Sequence, residues 1–236
     1  MKYSLLVLAS VLISGRGLCA APAERQPEAP FSDESLVYSV NWPKGLNLGQ
    51  AQLSSTRSGG RWRFALSLDA AVLGFIVSDS YQSVAADDFC SVEFVKTYTH
   101  GKRKAGEKET FNPQKGTATR QTLGKGAGKS EISAPGCAKD ALTFLYHLRR
   151  ELAQGRVPAS QTVFFGAPYQ LTLESGGKQK VRVNARSMDA DLLRASLKGP
   201  ASETKFEMFF ARDAVRTPVM IRVPFTLGTF SLELVR

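Results

Sequence analysis

Apolar and polar residues alternate along most of this chain. In residues 36–42, Leu36, Tyr38, Val40 and Trp42 share one face at period two, the signature of a half-buried strand. Residues 61–68 repeat it, with Trp62, Phe64, Leu66 and Leu68 inward and Arg61, Arg63 and Ser67 outward. Gly59-Gly60 predicts the turn from a preceding strand over residues 48–57. The alternation continues through residues 76–123, where Gly101-Lys102-Arg103-Lys104 reads as a turn, and resumes over 161–235. Gly176-Gly177 reads as a further hairpin signal, and Asp189 and Asp191 fall in a predicted loop. Turn residues recur roughly every 8–12 positions, which predicts a mainly β fold. We expect about eleven strands in a curved antiparallel sheet or half-open β-barrel, with one amphipathic helix packed on it.

That helix is predicted over residues 140–154, with Asp140 as N-cap and Gly155 as the stop. At helical spacing Ala141, Phe144, Leu145, Leu148 and Leu152 share an apolar face, and Thr143, His147, Arg150 and Gln154 share the other. Arg149 falls at the border, where its stem can cover apolar surface while the guanidinium finds a carboxylate. A lone helix in a strand-rich chain covers one face or one mouth of the sheet.

The N-terminus changes the picture from fold to location. Lys2 precedes an apolar run over residues 3–13, and a Leu18-Cys19-Ala20 cleavage site follows, the layout of a secretory signal peptide over residues 1–20. Cys19 lacks the lipobox context, since Leu18 and Arg16 stand where small and aliphatic residues are needed. We therefore expect a periplasmic protein without a lipid anchor. Residues 21–33, with Pro22, Pro27 and Pro30 among charges, read as a disordered tether, leaving 34–236 as a single β-rich domain. No second apolar run of spanning length follows, so no transmembrane span is expected after cleavage.

The chain has 31 basic and 21 acidic residues. Removing the leader takes Lys2 and Arg16 and no acids, leaving 29 against 21, a net charge of +8. Such a surface favours anionic envelope components, and it equally serves solubility alone. Cys90 and Cys137 are the cysteines left after the leader. In an oxidising compartment an isolated pair reads as a structural disulfide, the competing reading being two unpaired thiols. No Cys-x-x-Cys spacing supports a redox role.

Several blocks together resemble a known family. They are Tyr38 to Trp42 with Gly49, Ser80-Tyr81-Gln82-Ser83, and the helix from Asp140 to Arg149 with Gly155. Phe209-Phe210-Ala211-Arg212-Asp213, Arg216-Thr217-Pro218-Val219 and Gly228 complete the pattern. This is similar to the exported bacterial proteins grouped as domain of unknown function 3108, over about residues 34–236. The resemblance implies a periplasmic or outer-membrane-associated protein with a curved sheet and helix like the LolA and LolB lipoprotein carriers. It brings no activity or catalytic residue, and the family helix usually carries Ser where this chain has Thr143.

Motifs for chemistry are weak. Residues 124–130 resemble a phosphate-binding loop, but Leu123 stands where its first glycine belongs, and Pro135 and Gly136 leave no room for the required helix. His100 and His147 are the two histidines, without metal-ligand spacing, and read as surface residues. No Gly-x-Ser-x-Gly elbow exists, and a Ser-His-Asp triad would have to use one of these two histidines. Glu107 with Glu109, and Asp189 with Asp191, read as solvated charges rather than a glycosidase pair. Arg61-Trp62-Arg63-Phe64 follows from strand alternation, and nucleic acid is not expected as a partner.

The sequence thus predicts an exported, non-enzymatic protein without cofactor or metal. A lipid or other hydrophobic ligand would sit in the concavity under the helix, with Trp42, Trp62, Phe64, Phe144, Leu148, Phe209 and Phe225 as lining. Lys102, Arg103 and Lys104 would contact an anionic surface. The alternative is a structural or interaction module for envelope assembly, with a filled core and an envelope protein partner. A wall-degrading hydrolase is a third, weaker reading.

Overall fold

Each alternating segment becomes a strand, and backbone pairing joins them all into one sheet. A computed structural model describes residues 31–72, 74–124, 126–200, 203–225 and 228–236. The predicted leader and nearly all of the tether, residues 1–30, lie outside the described residues, as does the side chain of Phe225. The first half comprises β1 (Glu34–Trp42), β2 (Leu46–Ser58), β3 (Arg61–Val72), β4 (Phe75–Ala86), β5 (Ser91–His100), β6 (Arg103–Asn112), β7 (Thr117–Leu123) and β8 (Lys129–Ser133). After β9 (Lys139–Asp140) and helix α1 (Ala141–Ala153) come β10 (Gln161–Phe164), β11 (Pro168–Val183) and β12 (Arg186–Lys198). The chain ends in β13 (Glu203–Ala211), β14 (Pro218–Phe225) and β15 (Gly228–Leu234).

Among the described residues the sheet has fifteen strands, in the order β8-β7-β6-β5-β4-β3-β2-β1-β15-β14-β13-β12-β11-β10-β9. The expectation of about eleven fell short partly because β8 and β9 carry little alternation to read. β8 is the polar string Lys-Ser-Glu-Ile-Ser, and β9 is two residues long. Pairing is antiparallel except between β9 and β10. From β1, mid-sheet, the strands meander out to the β8 edge, and the chain re-enters at the β9 edge to meander back until β15 pairs with β1. Segment 134–138 alone joins the two edges, and from Ser133 to Lys139 an extended chain spans at most about 20 Å. The open sheet must therefore curl until its edges approach. Cys137 in that segment is bonded to Cys90 in the β4–β5 turn, and Ser91 N donates to Ala138 O at 2.9 Å.

Gly176-Gly177 is not a hairpin turn. β11 runs through it, and the register slips between Ser175 and Gly177. Before the slip Leu171 and Leu173 pair with Leu197 and Ala195; after it Val181 and Val183 pair with Met188 and Arg186. One extra residue therefore moves the odd positions from one sheet face to the other. Leu171 joins the cluster under α1, whereas Val181 and Val183 join Leu192, Phe209 and Met220 in a separate cluster. A Cβ at Gly176 would come within 2.6 Å of Leu192 Cδ2, so the bulge needs glycine for close approach. The turn itself is Asn184-Ala185, both at positive φ (47° and 62°) as a tight hairpin demands.

α1 begins and ends where predicted, with Asp140 as N-cap and Gly155 at φ +74° beyond its end. Its burial differs from the two-faced expectation: Thr143, Tyr146 and Arg149 are buried along with Phe144, Leu148 and Leu152. The sheet curls around the helix, so one flank packs on the first half and another on the second. Leu142 and Tyr146 join Tyr38, Leu53, Trp62 and Phe64; Phe144, Leu148 and Leu152 join Leu171, Leu193 and Phe210.

Candidate ligand cavity

A polar node fixes the start of α1 against the first half of the sheet. Asp140 Oδ1 accepts from the Leu142 and Thr143 N–H groups at 2.9 and 3.0 Å, satisfying two donors that a helix start leaves open. Oδ2 meets the Ser83 and Ser91 hydroxyls, each at 2.6 Å, and Thr143 Oγ1 at 2.7 Å. Ser83 Oγ also lies 2.8 Å from Thr143 Oγ1, and Ser91 Oγ accepts from Asp140 N at 2.8 Å. All four side chains are buried. Burial pushes the Asp140 carboxyl up, while the Ser83, Ser91 and Thr143 donors pull it down. Four oxygen–oxygen contacts share three hydroxyl protons, so a proton on Asp140 would complete the set.

A turn further on, the Arg149 guanidinium is wholly buried and forms a two-pronged pair with Glu34 of β1, Nη2 lying 3.0 Å from Oε2. Arg149 Nε donates to Val215 O at 3.0 Å, and its guanidinium covers the Tyr146 and Phe31 rings. Tyr146 stacks on Phe64 with ring centres 4.1 Å apart, and Trp62 stacks on Phe64 in turn. Tyr38 donates its hydroxyl to Pro218 O at 2.8 Å, tying β1 to the start of β14. This half is closed.

The other flank of α1 is not filled. Between it and the second half of the sheet lies a cavity of about 290 Å³. Ala141, Phe144, Leu145 and Leu148 of the helix form one wall. Leu171, Leu197, Phe206, Met208 and Ile221 form the other, with Leu66, Phe165 and Tyr169 at the margins. Among the described lining residues only Tyr169 carries a polar side-chain group, so a ligand here is held by apolar contact and shape. On the opposite face of this half, Arg194, Glu207 and Arg222 pair across β12, β13 and β14 and line a separate polar groove with Lys205 and Glu174.

The predicted lining residues are dispersed. Phe144 and Leu148 line the cavity. Trp62 and Phe64 lie in the closed aromatic stack, and Phe209 lies in the cluster with Val181 and Met220. Trp42 packs edge-on against Phe230 at 4.5 Å. Phe225 presents no described side chain. The sheet wall went unnamed because large rings were favoured over the aliphatic alternation of 171–173 and 193–197, which carried the signal. Ser91 and Glu34 were also missed, since nothing in sequence places them beside the helix.

Glu107 and Glu109 are not solvated as expected. Glu109 is buried, its Oε2 accepting from Gly166 N at 2.9 Å, and burial pushes its carboxyl up to about 7 against that donor. Glu107 lies between Lys96, at 3.0 Å, and Arg120; burial opposes those two cations, which together hold its carboxyl below the usual range. Gly166 sits beside this pair at a φ of +79°, a conformation that favours glycine. Asp189 and Asp191 stand on β12 rather than in a loop, paired with Lys178 and with Arg216, each at 2.7 Å.

The remaining motifs are absorbed by the fold. His100 pairs with Asp79 at 2.8 Å; His147 is half-buried and pushed down to about 4 by burial and by Lys139. Lys129 and Ser130 open strand β8, so no helix follows the glycine-rich loop. Among the described residues, the group with metal-type donors close together is Asp88 with Cys90 and Cys137, and the disulfide consumes both sulfurs. No helix of the described residues is long and apolar enough to cross a membrane.

A search of curated proteins finds no match to this chain. A family model does match, over residues 37–235, and it covers β1 to β15 with the helix, the Asp140 node and both cavity walls. The chain therefore belongs to the family described as protein of unknown function (DUF3108).

Proposed function

We propose that this is an exported envelope protein without catalysis that holds one hydrophobic chain, such as the acyl tail of a lipid, beneath α1. The observation that carries the reading is the apolar cavity of about 290 Å³ between the helix and β11–β14. Apolar walls left facing water forgo burial that a hydrophobic ligand would supply. Its volume lies at the low end of ligand pockets, roughly 300–1,000 Å³, which favours a single chain over a many-tailed lipid. The arrangement also supports the likeness to lipoprotein carriers of the LolA and LolB type, and the disulfide is what an oxidising compartment such as the periplasm permits.

The test is uptake of an apolar fluorophore, Nile red, and its displacement by a long-chain fatty acid. Leu145 is half-buried on the cavity wall and borders both apolar clusters, so Leu145→Trp narrows the space, and its denaturant unfolding is compared with the wild type. The wild type takes up the dye and Leu145→Trp takes up little. Equal uptake by both, or none by either, would remove the cavity as a binding site and favour a module for envelope assembly with a protein partner.

A further inference from the structure

The six large apolar side chains most exposed among the described residues are unevenly placed. Leu46 (63% exposed), Phe75 (51%), Ile76 (59%) and Leu123 (37%) all stand at one end of the first half of the sheet. Strand direction requires it: β2 starts, β3 ends, β4 starts and β7 ends at that rim. The β5–β6 turn is at the same end and carries Lys102, Arg103 and Lys104, all exposed.

Contact as well as topology joins the apolar and basic groups. Gly101 N donates to Ile76 O at 2.7 Å, locking the β5–β6 turn to the start of β4. The Phe75 ring lies over Gly101, so close that a Cβ there would come within 2.8 Å of Cε2. Among the described residues none of Lys102, Arg103 and Lys104 forms an ion pair; Arg103 faces the Tyr98 ring at 5.9 Å. The nearby acids are set back and engaged. Asp69 accepts from Ser78 Oγ, and Asp79 is held by His100 and Tyr81.

We propose that this rim docks on the surface of an anionic phospholipid bilayer. Phe75 and Ile76, with Leu46 and Leu123 beside them, enter the interfacial region, and Lys102, Arg103 and Lys104 meet headgroup phosphates. Apolar tips beside unpaired cations fit a surface that is anionic outside and apolar just beneath. A soluble polyanion uses only the cations, and the apolar tips would then be a solubility liability. The inference rests on the ligand reading for one consequence alone. The cavity's sheet wall includes Leu171 near the start of β11 and Leu197 near the end of β12, and both lie toward this same end of the sheet. Docking would therefore turn the cavity toward the membrane.

The experiment is partition of the purified protein onto vesicles of phosphatidylglycerol mixed with phosphatidylcholine, against phosphatidylcholine alone. The wild type binds the mixed vesicles, more weakly as salt rises. Phe75→Ser with Ile76→Ser lowers the partition about tenfold or more at every salt concentration. Replacing Lys102, Arg103 and Lys104 by Gln lowers it about a hundredfold at low salt, at about 1 kcal/mol per cation, and flattens the salt dependence. Every changed residue is exposed, and Ile76→Trp adds a direct reading: its emission shifts to the blue on the mixed vesicles. No binding by the wild type, or binding that survives the Phe75 and Ile76 changes, would overturn the proposal. So would binding to soluble alginate with no blue shift on vesicles, which would assign the turn to a polyanion. Leu145→Trp leaves vesicle binding intact, and the rim variants leave Nile red uptake intact, so the two readings fail separately.

Discussion

Two flanks of one helix meet two halves of one sheet, and they are treated differently. Toward β1–β5, α1 presents the Asp140 node, the Tyr146 ring and the Arg149 guanidinium, and every one finds a partner. Toward β10–β14 it presents Phe144, Leu145 and Leu148, and these face an open apolar space. The contrast separates two tasks. Directional bonds and stacked rings fix the position of the helix, and non-directional apolar walls leave room for something else.

The largest effects should come from breaking the closed half. Phe64 touches Trp62, Phe89 and Tyr146, so Phe64→Ala is expected to cost about 3–5 kcal/mol in denaturant unfolding. Leu197→Ala, on the sheet wall of the cavity, should cost only about 1 kcal/mol. Equal costs would erase the distinction between the halves. The disulfide closes a loop of 47 residues, and replacing Cys90 and Cys137 by Ser should cost about 4 kcal/mol in the chain-entropy model. Because the bridge anchors the segment joining the two sheet edges, hydrogen exchange in β8 and β9 should rise first.

A smaller effect carries a sign. The Glu109 carboxyl is pushed up to about 7 in the folded chain from an ordinary value of 4.5. Between those values the folded state holds the proton more tightly than the unfolded chain, so Glu109 costs stability as pH rises from about 4.5 to about 7. Glu109→Gln keeps an acceptor for Gly166 N and removes the titration. It should therefore stabilise the protein more at pH 8 than at pH 5, by up to about 3 kcal/mol. A gain that does not change with pH would show that the carboxyl is not held protonated by burial.

Much of this frame was legible in sequence. Period-two alternation located β1 and β3, and the Asp140 cap and Gly155 stop delimited α1. β8 and β9 were not legible, because the one is polar and the other holds two residues. Gly176-Gly177 misled because glycine serves a bulge as readily as a turn, and only pairing with Leu192 and Leu193 distinguishes them. The cavity was half legible. Helical spacing exposed Phe144 and Leu148, but the sheet wall depends on which strands curl over the helix, a property of long-range pairing. Thr143 and Glu109, polar in sequence, are buried because the curled sheet brings Ser83 to the one and Gly166 to the other.

If a hydrophobic chain fills the space beneath α1, it should copurify with the protein. The most direct test is the mass of the protein, purified from its own compartment without detergent, measured native and then denatured without reduction. The expected result is a native excess the size of one lipid chain that disappears on denaturation and is absent from Leu145→Trp. A native mass equal to the bare chain would contradict it.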